Sequence, residues 1–123
     1  MILVDTSVWI DHFHKTVPAL AGALEREDVL MHPYILGEIA CGQIKKRREI
    51  LDLLATLPAS TLATDEETLG LIENRRLMGK GIGYTDVHLL AAVIITDNAQ
   101  LWTRDKRLGE IAAQLGIGFM ERF

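Results

Sequence analysis

The chain has a single cysteine, Cys41, in 123 residues, and this excludes an internal disulfide. It also makes a thiolate metal site a poor expectation and suits the reducing cytoplasm. The four histidines, His12, His14, His32 and His88, do not pair with Cys41 at a zinc-ligand spacing, and no HExxH occurs. Only 6% of residues are aromatic, so the 49% hydrophobic content describes a Leu/Ile/Val/Ala core. The longest apolar run, Leu89 to Ile95, is far shorter than the ~20 residues a membrane helix needs. No basic region precedes the short apolar N-terminus, which therefore does not read as a signal peptide. Repeats, low-complexity tracts and linker-like runs are absent, and residues 1–123 read as one domain, long enough to bury a core without metal or disulfide.

Cationic charge is also in deficit. Seventeen acidic residues against thirteen basic ones give a net charge of −4, which argues against a nucleic-acid partner only if charge is spread evenly. If four acids converge on one metal site, the remainder is neutral and the cation cancels much of the local repulsion. Net charge therefore does not decide the partner.

What is present is an alternation of short strands and helices. Met1-Ile2-Leu3-Val4 is a strand that ends on Asp5, followed by the hydroxyls of Thr6 and Ser7. Helical spacing predicts helices from Ser7 to about Lys15 and from Ala19 to Glu27, with Pro18 between them. Val29 to Met31 is a second strand, and Pro33 opens a helix that carries Glu38 and runs to Gly42. A further amphipathic helix is expected from about Lys46 to Leu57, ended by Pro58. Thr64-Asp65-Glu66-Glu67 has the form of a capping box ahead of Leu69, Ile72 and Leu77. A glycine-rich loop, Gly79 to Gly83, leads into Tyr84-Thr85-Asp86 and the apolar Val87 to Ile95, expected to be a central buried helix. Strand Gln100 to Thr103, helix Asp105 to Leu115 and a last strand near Ile117 to Met120 complete the chain. The fold expected is α/β, a central, mainly parallel sheet with helices on both faces.

Four carboxylates occupy comparable places: Asp5 after the first strand, Glu38 on an early helix, Asp86 opening the buried helix, and Asp105 after Leu101-Trp102-Thr103. Singly, each reads equally well as a helix-start charge, a cap or half of an ion pair. Jointly they suggest a site, because two strands end in the same hydroxyl-and-acid pattern. Clustered carboxylates raise one another's pKa, and a bound divalent cation resolves that conflict. Oxygen ligands alone select Mg²⁺ or Mn²⁺, ions suited to phosphodiester chemistry. Ser7 and Thr103, and less clearly Thr6, would orient these acids.

Other features read as ordinary. Lys45-Lys46-Arg47-Arg48 is a basic run expected on a helix and mostly solvated, with phosphate contact by Lys46 and Arg47 as the sharper alternative. Lys80, favoured by its glycine loop, and Arg75, Arg76 and Arg104 are further candidates for phosphate contact. The glycine loop lacks the Lys-Ser/Thr of a nucleotide-binding loop. Trp9 and Trp102 are expected in the core or a dimer face, Asp11 and Asp97 at the solvated surface, and Ser7 lacks triad partners.

The ordered segments Ile2-Leu3-Val4-Asp5-Thr6-Ser7-Val8-Trp9, Gly37-Glu38, Tyr84-Thr85-Asp86-Val87-His88-Leu89-Leu90 and Leu101-Trp102-Thr103-Arg104-Asp105 resemble the PIN-domain ribonucleases, and within them the VapC toxins of bacterial toxin–antitoxin pairs. The resemblance spans essentially the whole chain. It implies a PIN-like three-layer fold and an endoribonuclease with Mg²⁺ or Mn²⁺ held by Asp5, Glu38, Asp86 and Asp105. It also implies supporting hydroxyls at Ser7 and Thr103, a cognate antitoxin over the acidic site, and a homodimer. Many relatives carry another acid shortly after the position of Asp105, where this chain has Lys106 and Arg107, so Asp105 ranks below Asp5 and Asp86. Two rivals stand beside this reading. One is a PIN-like domain that binds its partner without catalysis. The other is a receiver-like Mg²⁺-binding signalling module, disfavoured because Asp5 has no adjacent acid and the second strand ends on His32-Pro33.

Overall fold

A computed structural model describes residues 1–121. Three strands, β1 (Ile2–Val4), β2 (Val29–Leu30) and β3 (Gln100–Trp102), form one sheet in the order β2-β1-β3. Both pairings are parallel: Ile2 lies opposite Val29 and Gln100, and Leu3 opposite Leu30 and Leu101. Successive strand residues face opposite sides of a sheet, yet Ile2, Leu3 and Val4 are all buried, so both faces of β1 are covered. In a parallel sheet all carboxyl ends share one edge. Asp5, His32 and Thr103 therefore emerge together, where open α/β sheets place their ligands.

Seven helices surround the sheet: α1 (Thr6–His14), α2 (Pro18–Glu25), α3 (Pro33–Cys41), α4 (Arg47–Leu54), α5 (Asp65–Arg75), α6 (Tyr84–Ile95) and α7 (Lys106–Gln114). Pro18 and Pro33 each sit in a first turn, where the missing N–H is no loss. The capping box at α5 is complete: Thr64 Oγ1 accepts from Glu67 N at 3.0 Å and Glu67 Oε1 accepts from Thr64 N at 2.9 Å. Thr64→Ala is expected to cost about 1 kcal/mol, read from the urea midpoint, and an unchanged midpoint would mean the cap is idle. Helix α6 packs against β3 and α5, with every residue from Val87 to Val93 buried. Its last two residues depart from the expected burial: Ile94 and Ile95 reach the surface.

Two sequence expectations are corrected, and one is met. The last strand, expected near Ile117 to Met120, is reduced to one parallel bridge between Leu101 and Gly118. Gly116, at φ +74°, turns the chain there, and Gly118 runs so close to the backbone of Ala113 that an added Cβ would lie 3.3 Å from its nitrogen. The helix expected to begin at Lys46 and reach Leu57 is shorter, because Lys46 is left-handed at φ 53° and serves as the cap. Lys45 and Lys46 therefore precede the helix instead of riding on it. Trp9 and Trp102 lie in the core, 2% and 1% exposed.

Candidate active site

Burial of β1 fixes Asp5 at the sheet edge, where its amide donates to Trp102 O at 2.8 Å. Asp5 is only 7% exposed, so its carboxylate needs donors, and two hydroxyls supply them. Ser7 Oγ donates to Asp5 Oδ2 at 2.9 Å and Thr103 Oγ1 donates to the same oxygen at 2.8 Å. The chain after β3 fixes both hydroxyls in turn: Arg104 N donates to Ser7 Oγ at 3.1 Å and Asp105 N donates to Thr103 Oγ1 at 3.1 Å. Each hydroxyl thus accepts from backbone and gives its proton to Asp5, which locks β1 to the β3–α7 connection.

The other acids are anchored in a similar way, each through one oxygen. Gly83 N donates to Asp86 Oδ2 at 3.1 Å, in the first turn of α6. Asp105 caps α7, accepting from Leu108 N at 2.9 Å through Oδ1, so the bland reading of this residue as a cap holds as geometry. Thr6 Oγ1 donates to Glu38 Oε1 at 2.9 Å across α1 and α3. Among the described residues, the second oxygen of each of the four carboxylates has no protein donor.

Electrostatics tie three of the four together. Burial holds the Asp86 carboxyl above its ordinary value of 3.8, the negative charges of Asp5 and Asp105 push it further the same way, and the Gly83 N–H opposes them. Such mutual repulsion is relieved by a cation. No three His, Cys, Asp or Glu side chains among the described residues converge tightly enough to form a ready-made cage. The donor set nonetheless fits a hard cation: every candidate ligand is oxygen, and each carboxylate is oriented with one oxygen to spare. Mg²⁺ usually keeps several waters and takes only one or two carboxylates, so a loosely gathered set suits it.

The basic candidates separate. Lys46 and Lys80 are exposed and have no anionic partner among the described residues. Arg47 is occupied, donating from Nε and Nη2 to Ala40 O at 3.1 and 2.8 Å. Arg104, expected as an RNA contact, is instead held by Asp11 at 2.9 Å and by Glu121 at 2.9 and 2.7 Å. Asp11 is thus an ion-pair partner and not merely solvated. Asp97 lies exposed in a turn, as expected. In the glycine loop, Gly79 and Gly81 have φ of +69° and +80°, and a Cβ on Gly81 would collide with the Arg107 side chain.

Sequence reasoning missed a buried cluster beside this edge. His88, 3% exposed, places Nε2 3.0 Å from Asp65 Oδ1 and Nδ1 3.2 Å from Thr68 Oγ1. Tyr84 also donates to Asp65 Oδ1, at 3.0 Å. The available signal was the one-turn spacing of Tyr84 and His88, which puts both on one face of α6 toward α5.

Comparison with known proteins agrees with this architecture. Residues 2–114 match the PIN domain family. Ribonuclease VapC32 from each of two strains of Mycobacterium tuberculosis is 44% identical over 121 residues, 98% of this chain and 98% of the relative. A three-stranded parallel sheet that gathers Asp5, Asp86 and Asp105 at one edge, matched along nearly its whole length, places this chain in the VapC group of the PIN-domain ribonuclease family.

Proposed function

We propose that this chain, acting as one domain over residues 1–123, is a divalent-metal-dependent endoribonuclease, the toxin of a toxin–antitoxin pair. The observation that carries the reading is the seating of Asp5 at the sheet edge, where Oδ2 accepts from both the Ser7 and Thr103 hydroxyls and Oδ1 is left without a donor among the described residues, close enough to Asp86 for their charges to repel. Acids from three separate segments that repel one another at a sheet edge are a cost to the fold unless a cation enters. Kinship with proteins named Ribonuclease VapC32 supplies the substrate class, and the resemblance to the VapC toxins supplies the toxin role.

Asp5 and Asp86 would hold Mg²⁺ or Mn²⁺ through their free oxygens, with Glu38 and Asp105 completing the set. Once bound, such an ion supplies charge neutralisation at the scissile phosphate and a water of lowered pKa. Ser7 and Thr103 keep the Asp5 carboxylate aimed, and the free oxygen of Glu38, whose Oε1 is tethered by Thr6, would serve either as a further ligand or as the acceptor of the attacking water's proton. Lys46 and Lys80, exposed and without an anionic partner among the described residues, are suited to position the RNA backbone. An arginine from a cognate antitoxin would pair bidentately with the clustered carboxylates and block the site. A homodimer working in the cytoplasm belongs to the same reading. No helix among the described residues is long and apolar enough to cross a membrane.

Purified protein is expected to cleave single-stranded RNA with Mg²⁺ or Mn²⁺, to lose cleavage in EDTA, and to melt at higher temperature when Mn²⁺ is added without RNA. Undiminished cleavage in EDTA would remove the cation from the account.

A further inference from the structure

Six of the seven aromatic side chains lie among the described residues, and their exposure divides sharply. Trp9 and Trp102 are buried, and Phe13 and Phe119 are half-buried against the core. Only Tyr34 and Tyr84 stand exposed, at 42% and 44%. A half-exposed aromatic ring loses part of its burial energy, so its position calls for a reason. Both lie within a helical turn of a site acid. Tyr34 precedes Glu38 by four residues on α3, which puts the two on one helix face, and Tyr84 opens α6 two residues before Asp86.

These rings are also rigidly seated. Each meets the buried His88 ring edge-on, with centroids 5.1 Å away at 74° for Tyr34 and 4.8 Å away at 84° for Tyr84. Tyr34 additionally rests on His32 at 5.0 Å, and the Tyr84 hydroxyl is tied to Asp65. His88 itself is fixed from both ring nitrogens by Asp65 and Thr68. A pair of aromatic rings, held in place and left open to solvent next to an acidic site, is what an unpaired nucleobase stacks on. Every base has a π-face, and single-stranded RNA is gripped by such platforms with little need for base-specific hydrogen bonds.

We propose that Tyr34 and Tyr84 form a base-stacking platform that holds unpaired nucleotides of the RNA flanking the scissile phosphate. The proposal rests on the ribonuclease reading and deepens it. The acids act on the phosphodiester, Lys46 and Lys80 meet the backbone, and the tyrosines bind bases. This arrangement restricts the substrate to unstacked RNA, because a ring cannot insert beside a base already stacked in a duplex. The hydroxyl of Tyr34 donates no hydrogen bond among the described residues, so the ring is the part that matters there.

The test titrates wild type, Tyr34→Ala, Tyr34→Phe, Tyr84→Ala and Tyr84→Phe, all in EDTA, with a fluorescein-labelled single-stranded RNA and with an abasic strand of the same length. Each Ala variant is expected to bind the base-bearing RNA roughly tenfold more weakly, with abasic binding unchanged and Phe at either position restoring affinity to near wild type. Equal loss on both strands, or Ala variants that bind as wild type does, overturns the proposal. So does a shift from dimer to monomer in light scattering that tracks the loss, because the rings would then be a subunit contact. Wild type that cleaves the same RNA once Mn²⁺ is supplied, while the Ala variants bind normally in EDTA, sinks the platform alone, whereas wild type that neither binds in EDTA nor cleaves with Mn²⁺ sinks the ribonuclease reading with it.

Discussion

Asp86→Asn is expected to abolish RNA cleavage while making the metal-free protein more stable at neutral pH. The first effect follows from removing a charged oxygen at the centre of the acidic edge, and a loss of at least about a hundredfold is expected for a group of this kind. The second follows from linkage. Asp86 has a folded pKa above its unfolded value, so the folded state binds its proton more tightly. The stability this proton affords is present at low pH and is lost as pH rises from the ordinary value of 3.8 through the raised one. At neutral pH the ionised group is therefore a net strain, imposed by burial and by Asp5 and Asp105. Asparagine removes the charge yet keeps an oxygen that accepts from Gly83 N, so the first turn of α6 stays capped. Cleavage assays beside thermal melts in EDTA check both halves. A variant that is inactive and less stable would indicate damage to the fold, and one that stays active would remove Asp86 from the site.

Acid is expected to destabilise the protein through His32. Its ring is 2% exposed, its Nδ1 accepts from Tyr34 N at 3.0 Å, and burial together with the neighbouring His88 lowers its pKa from 6.5 to about 4. A protonated Nδ1 could not accept that bond, so α3 would lose its cap as the charge appeared in the core. With the folded pKa depressed, the contribution is fully present above pH 6.5 and is lost as pH falls through about 4. The shift corresponds to about 3 kcal/mol over that window. Urea denaturation across pH should show the wild type losing roughly that much more than His32→Asn, whose side-chain oxygen still caps Tyr34 N. Parallel curves for the two proteins, or an NMR titration of His32 near 6.5, would contradict it.

Legibility in the sequence followed the range of the interaction responsible. β1, the Thr64–Glu67 box and α6 were readable because a few neighbouring residues specify each of them. The strand-end placement of Asp5 and Asp105 was readable for the same reason. The ion pairs of Arg104 were not, since Asp11 lies 93 residues away and Glu121 on the far side of α7. The final strand was over-read because Ile117 to Met120 has the composition of a strand, whereas Gly116 and the crowding of Gly118 against α7 leave room for a single bridge. The His88 cluster was hidden for a third reason. Its partners come from α3, α5 and α6, and only the folded chain brings Tyr34, Asp65 and Thr68 around one ring.

The central claim is that the acids gathered at the sheet edge make this chain an RNA endonuclease. Its most direct test is to map RNA 5′ ends across the transcriptome after brief induced expression of the wild-type chain beside Asp86→Asn. New ends at defined positions with the wild type, absent with the variant at equal protein level, are the expected result. The same new ends in both maps would contradict the account, because the cleavage would then not depend on the acid at its centre.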